Sequence, residues 1–321
     1  MNRIYEFLIS LVIVVVLFSA VALFLPSERY VEYQIESNRP ISTVYSVLNG
    51  FTNFDEWNTL RSDRMLKSQV SETANGEGAT MSYSSLNRST GQGTWELIES
   101  VPEKKIKYKI TDSSFGFDKY LTFELTRAGP NKKNTSILQY YEVDYGWNLL
   151  GRYAGLYVER NVGDKMKAGM KRLSTFLATI PKLSFADRKE PIIFVELPAA
   201  NVLVATVISK RDNNEIATGI TNQMAWINKI IAANGLQASG PMRIVTNEFT
   251  SDSYSFDVVQ PVSKDGSTEG QWDIKLESDI AFEQLPAGRA ATTDYTGYAT
   301  GLESERQVVR AWAMVNGAST R

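Results

Sequence analysis

The chain contains neither Cys nor His. That removes disulfides, Cys nucleophiles, Ser-His-Asp triads and His-ligated zinc or haem together. No cofactor and no metal is expected. Acid/base chemistry would have to come from Asp, Glu, Tyr or Lys. Asp118, Glu124 and Glu142 are available in period-two segments, but each reads as a solvated strand-face charge, and no acid/base pair can be nominated. What the chain offers instead is aromatic surface. Trp57, Trp95, Tyr108 and Tyr141 lead a dense group in the first half, and Tyr254, Trp272, Tyr295 and Tyr298 a second group near the end. Taken singly, each ring is expected in a core or on a sheet. Taken together, they supply apolar area with polar tips, which suits a small-molecule pocket. Glu248 and Asp257 are the counter-charges within reach of the second group.

At roughly 150 residues per domain, 321 residues predict about two globular units. Apolar residues make up 43% and charged residues 22%, which excludes disorder, collagen-like repeats and a many-pass membrane protein. Residues 1–190 carry 24 Lys+Arg against 21 Asp+Glu, and 191–321 carry 10 against 15. Neither half has the basic stripe of a nucleic-acid binder, and no nucleic-acid partner is expected.

Phe7 to Leu25 form nineteen residues broken only by Ser10 and Ser19, with no charge. At 1.5 Å per residue the run is about 28 Å long, enough to cross a hydrocarbon core. Pro26 and Ser27-Glu28-Arg29 mark the exit to water. Ala20-Val21-Ala22 has the small-x-small form of a signal-peptide cleavage site. The apolar run continues beyond it, however, and the reading is an uncleaved anchor over residues 1–27, contacting membrane through 7–25. Arg3 and the terminal amine, opposed by Glu6 and balanced by Arg29, lean towards an inside amino terminus. The expectation is a single-pass protein of a bacterial inner membrane with a periplasmic body.

Residues 28–180 read as a strand, two short helices, a series of strands and one long helix. Val31, Tyr33 and Ile35 alternate with polar residues, and Ser42 is placed to cap a helix carrying Val44, Val47 and Leu48. Phe54 to Asn58 form a second short helix. Period-two runs follow at 78–86, 95–99, 106–110, 118–127 and 135–145, with Pro102-Glu103-Lys104-Lys105 as a hairpin turn. From Leu150 to Leu177 the period changes, and Val162, Met166, Met170, Leu173 and Leu177 fall on one helical face. Pro40, Phe54 to Trp57, Gly93-Thr94-Trp95, Val101 to Lys105 and the closing helix give this region a resemblance to START-like, polyketide-cyclase-type helix-grip (SRPBCC) domains. The resemblance implies a curved antiparallel sheet gripping a long helix, with an apolar cavity between them. That family holds lipid carriers, hormone and polyketide binders, and some cyclases or dehydratases.

Residues 181–191 read as a linker, and 192–321 contain an internal repeat. Leu197-Pro198-Ala199-Ala200 returns 88 residues later as Leu285-Pro286-Ala287-Gly288. Ala217-Thr218-Gly219-Ile220 and Asn234-Gly235 return 82 residues later at 299–302 and 316–317. In each copy a strand, Val202 to Ile208 or Gly288 to Tyr295, precedes a helix closed by Asn-Gly. A duplication of this kind implies a pseudo-two-fold with a groove between its halves. Gly240-Pro241, Asp257, Pro261-Val262, the Leu285 turn and Tyr295-Thr296-Gly297-Tyr298 resemble the gyrase-inhibitor-like domain, the effector-binding module of multidrug-responsive regulators. The resemblance implies planar, apolar, often cationic ligands held on aromatic walls. The second copy ends at Arg321 without the last strand, which in that family supplies an acid facing the ligand.

The fold class expected is therefore α+β: a transmembrane helix, a helix-grip domain, then a duplicated β-α-β-β domain lacking its last strand. The function expected is a membrane-anchored binding protein for hydrophobic or cationic small molecules. The alternatives are a cyclase, dehydratase or hydrolase built on Asp, Glu and Tyr, and an envelope protein whose cavities are vestigial.

Overall fold

The structure, a computed structural model, describes residues 2–186 and 188–318. Asp187 of the expected linker, and the last three residues of the chain, lie outside the described residues. Two compact units emerge. One comprises the chain before Arg188 together with the segment from Arg310 onward, and the other is Arg188–Val309.

In the first unit an apolar helix, α1 (Asn2–Phe24), is long enough to cross a membrane. Three residues then lead into β1 (Glu28–Ser37). After it come α2 (Ile41–Leu48), α3 (Phe54–Trp57) and six strands: β2 (Lys67–Val70), β3 (Thr80–Ser84), β4 (Gln92–Val101), β5 (Lys105–Asp112), β6 (Lys119–Ala128) and β7 (Asn134–Asp144). They form one antiparallel sheet in the order β1-β7-β6-β5-β4-β3-β2. A register shift between Leu97 and Glu99 bends β4, as a bulge does. Ser42 does not cap α2. The helix starts two residues earlier than such a cap implies, at Ile41 behind Pro40, whose fixed φ suits a helix entry, and Ser42 is buried inside it. The closing helical run is α4 (Leu149–Ala154), a tight turn, a π-helical turn over Glu159–Gly163, and α5 (Asp164–Thr179). Met166, Gly169, Met170, Leu173 and Leu177, spaced three or four apart with Gly169 beside Met170, form its buried face.

The end of α1 is tied to this run. The ring of Tyr153 stacks on Phe18 at 4.1 Å, and its hydroxyl donates to the Phe18 carbonyl at 2.9 Å. The Arg152 guanidinium donates to the carbonyls of Leu23 (3.2 Å) and Leu25 (3.3 Å), groups that a helix terminus leaves without intrahelical partners.

The second unit runs β8 (Ile193–Leu197), β9 (Ala200–Lys210), α6 (Asn213–Ala233), β10 (Gln237–Ala238), β11 (Arg243–Phe249), β12 (Ser253–Ser263), β13 (Ile280–Leu285), β14 (Gly288–Thr292) and the start of α7 (Leu302–Val315). The strand expected over 288–295 stops at Thr292. The repeat is visible in the ladders. Ala200 pairs with Leu285 in the β9–β13 ladder, and Leu197 with Gly288 in the β8–β14 ladder. A shift of 88 residues turns each pair into the other. Gly235 and Gly317 close α6 and α7 with φ of 64° and 79°, the left-handed terminus that Asn-Gly favours. The end of α7 belongs to the first unit. Ala311 and Val315 are buried in its core, and the Asn53 amide donates to the Val315 carbonyl at 2.6 Å.

Gly50 joins the turn after α2 to that core. Its N–H donates to the Tyr108 hydroxyl at 3.0 Å, and its φ is 148°. A Cβ there would lie 2.5 Å from Asn75 Cα and 2.6 Å from the Ala74 carbonyl oxygen. Gly50→Ala should therefore lower stability by about 1–3 kcal/mol, read as an earlier denaturant midpoint of the full chain in detergent. An unchanged midpoint would show the turn to be free to relax.

Candidate functional site

Alternation along the strands decides which side chains face the helix. Met81 and Tyr83 of β3, Trp95 and Leu97 of β4, Ile106, Tyr108, Ile110 and Asp112 of β5, and Lys119, Leu121, Phe123 and Leu125 of β6 share the concave face, as do Gln139 and Tyr141 of β7.

At the centre of this face the rings of Phe54, Trp57, Trp95, Tyr108 and Phe123 form a closed cluster. Trp57 meets Phe54 at 4.9 Å, Phe123 at 5.2 Å, Tyr108 at 6.3 Å and Trp95 at 6.4 Å, mostly edge to face. This is the arrangement aromatic quadrupoles favour. The cavity expected between the sheet and the 150–177 helix is thus occupied by the candidate ligand-binding rings themselves. Trp57, Trp95 and Tyr108 are packed together because three inward strand positions and α3 all project into the same cup. Tyr108 is fully engaged, donating to the Leu48 carbonyl at 2.7 Å. Two open grooves of about 880 and 860 Å³ lie elsewhere, at the opposite end of the sheet around Glu103, Lys104 and Arg127 and around residues 130–134.

Two polar atoms in the cup have no protein partner: the indole nitrogen of Trp57 and the side-chain oxygen of Gln139. Both residues are buried, and both adjoin Phe123. Trp57 touches its ring, and Gln139 lies directly opposite it across the β6–β7 ladder. Leaving a buried polar group unpaired costs about 1–3 kcal/mol.

Nearer the end of the sheet where α1 enters, the concave face turns polar. Lys119 is buried, and its ammonium pairs with Asp112 and donates to the Ser114 carbonyl (2.8 Å) and hydroxyl (2.9 Å). Burial alone would raise the Asp112 carboxyl, but hydrogen bonds from Lys119 and Ser114 and the Lys119 charge hold it below the ordinary carboxylate value. The negative charge acts on its neighbours. The Tyr83 hydroxyl is pushed up to about 12 by burial and then by Asp112, and Tyr141 is raised by the same two causes. Of the four first-half candidates, Tyr141 alone belongs to this polar group. Asp112, Lys119, Tyr83 and Gln139 were not singled out from the sequence, although strand parity carries the signal. Asp118 is exposed, whereas Glu124 and Glu142 are half-buried on the other face, a parity away.

In the second unit the candidates separate. Tyr254 is buried, with Phe256 at 4.6 Å and Phe249 at 5.1 Å. Its hydroxyl accepts from Arg306 at 2.9 Å, and the same guanidinium reaches Thr246 and the Ile244 carbonyl. The cation beside Tyr254 is thus the chain's own. Asp257 accepts from Thr206 at 2.7 Å, and Glu248 is exposed on β11. Trp272 stacks on Phe282, while Tyr295 donates to the carbonyl of Tyr298, whose ring is exposed.

A seven-stranded antiparallel sheet curved around a long helix, with an apolar face turning polar at one end, defines a helix-grip domain. Residues 29–177 match the family described as polyketide cyclase / dehydrase and lipid transport. Solved structures similar to it include a Thermobifida fusca protein, at 12% identity over 47% of this chain and 93% of that one, with a TM-score of 0.37. Truncated norcoclaurine synthase from Thalictrum flavum is similar at 11% identity over 47% and 93%, with a TM-score of 0.38. A Mesorhizobium loti protein is similar at 16% identity over 48% and 99%, with a TM-score of 0.35. Among curated proteins, none matches the chain in sequence.

Removing one member of a buried ion pair strands the other. Asp112→Ala should cost about 3–5 kcal/mol, and the double change Asp112→Leu with Lys119→Met should recover most of it. The wild-type carboxyl titrates below its unfolded value, so its contribution is complete above about pH 4 and fades as pH falls through the folded value. Denaturant midpoints of wild type and both variants at pH 3 and pH 7 measure this. A single variant as stable as wild type would remove the pair from the unit's supports.

Proposed function

We propose that the chain is a membrane-tethered binding protein for hydrophobic small molecules, taken up by the helix-grip unit between its sheet and α5. The observation that carries this reading is the pair of unpartnered atoms, the Trp57 indole N–H and the Gln139 carbonyl oxygen, on two residues that both adjoin Phe123. A ligand with one acceptor and one donor would satisfy both and displace rings that pack mainly on one another. The family that residues 29–177 match is consistent with such a role.

In this reading α1 remains attached as a single-pass anchor of a bacterial inner membrane, with the body on the periplasmic side. Support for attachment comes from Tyr153 and Arg152, which bind the stretch Phe18 to Leu25 where a signal peptidase would have to cut. The second unit is read as an accessory module for planar apolar molecules. Arg306 fills the place beside Tyr254 that a cationic ligand would take, so cations are expected to bind weakly there.

A second reading, acid/base catalysis, is favoured by one observation, the Asp112–Lys119 pair beside Tyr83 and Tyr141. It requires that a co-purified molecule change mass on incubation with wild type and not with Asp112→Asn.

Native mass spectrometry of the full chain released from detergent tests the binding reading. A small molecule should accompany the wild type and be depleted in Trp57→Phe and Gln139→Leu. Gln139→Leu, which removes an unpaired polar atom, should also be more stable by about 1 kcal/mol. Equal occupancy in all three proteins, or none in any, would refute the cup as the binding site.

A further inference from the structure

We propose that the loop end of the helix-grip unit is a membrane-docking surface, seated on the bilayer that α1 crosses. The proposal rests on the reading of α1 as a spanning helix and adds to it an orientation of the folded unit.

In an antiparallel sheet, alternate turns lie at the same end. Glu28, where the chain leaves α1, pairs with Asp144. The turns 85–91, 113–118 and 145–148 therefore share the end at which α1 enters, and the hairpins at 102–104 and 129–133 share the other. The two ends differ in chemistry. At the α1 end Phe117 is 65% exposed, Trp147 82% and Leu150 59%, with Phe115 and Tyr157 also exposed. The far end carries Glu103, Lys104, Arg127, Lys132 and Lys133. Large apolar side chains gathered on one exposed end mark an interaction surface, and Trp and Tyr are the residues that favour a membrane–water boundary.

These apolar side chains are joined to one another and to α1. The Phe117 amide donates to the Asp144 carbonyl at 2.7 Å, and its ring lies 3.8 Å from where a Cβ on Gly146 would sit. Arg152 donates to the Gly146 carbonyl at 2.8 and 2.9 Å, lies over the Trp147 ring at 5.8 Å, and reaches the carbonyls that end α1. Tyr153 fixes the depth. Phe18, on which it stacks, lies six residues before the end of α1, about 9 Å down the helix axis. Amphipathic elements lying in the interface bury their apolar face by about 5–10 Å. With α1 across the membrane, α4 lies at that depth, and Trp147 and Leu150 are carried to the lipid boundary with it. The connection from Phe24 to Glu28 is too short, at about 3.6 Å per residue, to hold this end away from the bilayer. The occupant of the surface is therefore lipid.

The absence of Cys allows a direct test. The full chain is reconstituted in phosphatidylcholine–phosphatidylglycerol vesicles with single cysteines labelled by an environment-sensitive nitrobenzoxadiazole dye, and quenched by lipids carrying a nitroxide near the headgroup or along the acyl chain. Dyes at Phe117→Cys, Trp147→Cys and Leu150→Cys should emit to the blue and lose most of their intensity to the headgroup-level nitroxide. A dye at Glu103→Cys should do neither, and one at Val14→Cys should be quenched by the acyl-chain nitroxide. Three positions guard against one substitution disturbing its own loop. Quenching at Val14→Cys with none at 117, 147 and 150 overturns the docking surface while leaving the anchor. No quenching at Val14→Cys overturns the anchor and this proposal together. Quenching at 103 equal to that at 117 overturns the end-on orientation.

Discussion

At Gly169 a Cβ atom would meet the carbonyl oxygen of Trp57 at 3.0 Å, so the absence of a side chain there lets α5 cross close over α3. The approach lets α5 press Met166, Met170 and Leu173 towards the sheet while α3 stays beneath it. Trp57 is then held from two sides, its backbone under the helix and its ring among Phe54, Trp95, Tyr108 and Phe123. A side chain at 169 would require α5 or the Trp57 carbonyl to give by a few tenths of an ångström.

The fold was largely legible because period-two and period-3.6 patterns are strong where one face is buried. β1, β4, β5, β6 and β7 and the buried face of α5 fall where alternation puts them, and the repeat in the second unit shows in short tetrapeptides. β2 was not legible, since all four of its residues are exposed and nothing alternates. The π-helical turn was also hidden. Glu159, its first residue, accepts from the hydroxyl of Tyr33, a partner far away in sequence.

The site was less legible, and for a physical reason. Aromatic residues announce burial without saying whether they line a space or fill it, and here Trp57, Trp95 and Tyr108 fill it. The charged pair was hidden differently. Asp112 and Lys119 stand at two strand ends flanking a turn, where charges are usually solvated. Only their parity with Ile110 and Leu121 shows that both point inward. In the second unit the sequence suggested an aromatic site awaiting a cation. Arg306 comes from the start of α7, sixty residues from Thr246, and no local pattern announces that it reaches Tyr254.

The paired ladders of the second unit place its two Pro-Ala turns under a common restraint. β8 and β9 flank the turn at Pro198-Ala199, β13 and β14 flank that at Pro286-Ala287, and each strand beside one turn bonds to a strand beside the other. A one-residue slip of register in either ladder would turn a strand's inward side chains outward. It would also misalign a ladder whose partner had not changed. The two turns, 88 residues apart in sequence, are thus neighbours in the ladders, and a slip beside one is felt by the strands that flank the other.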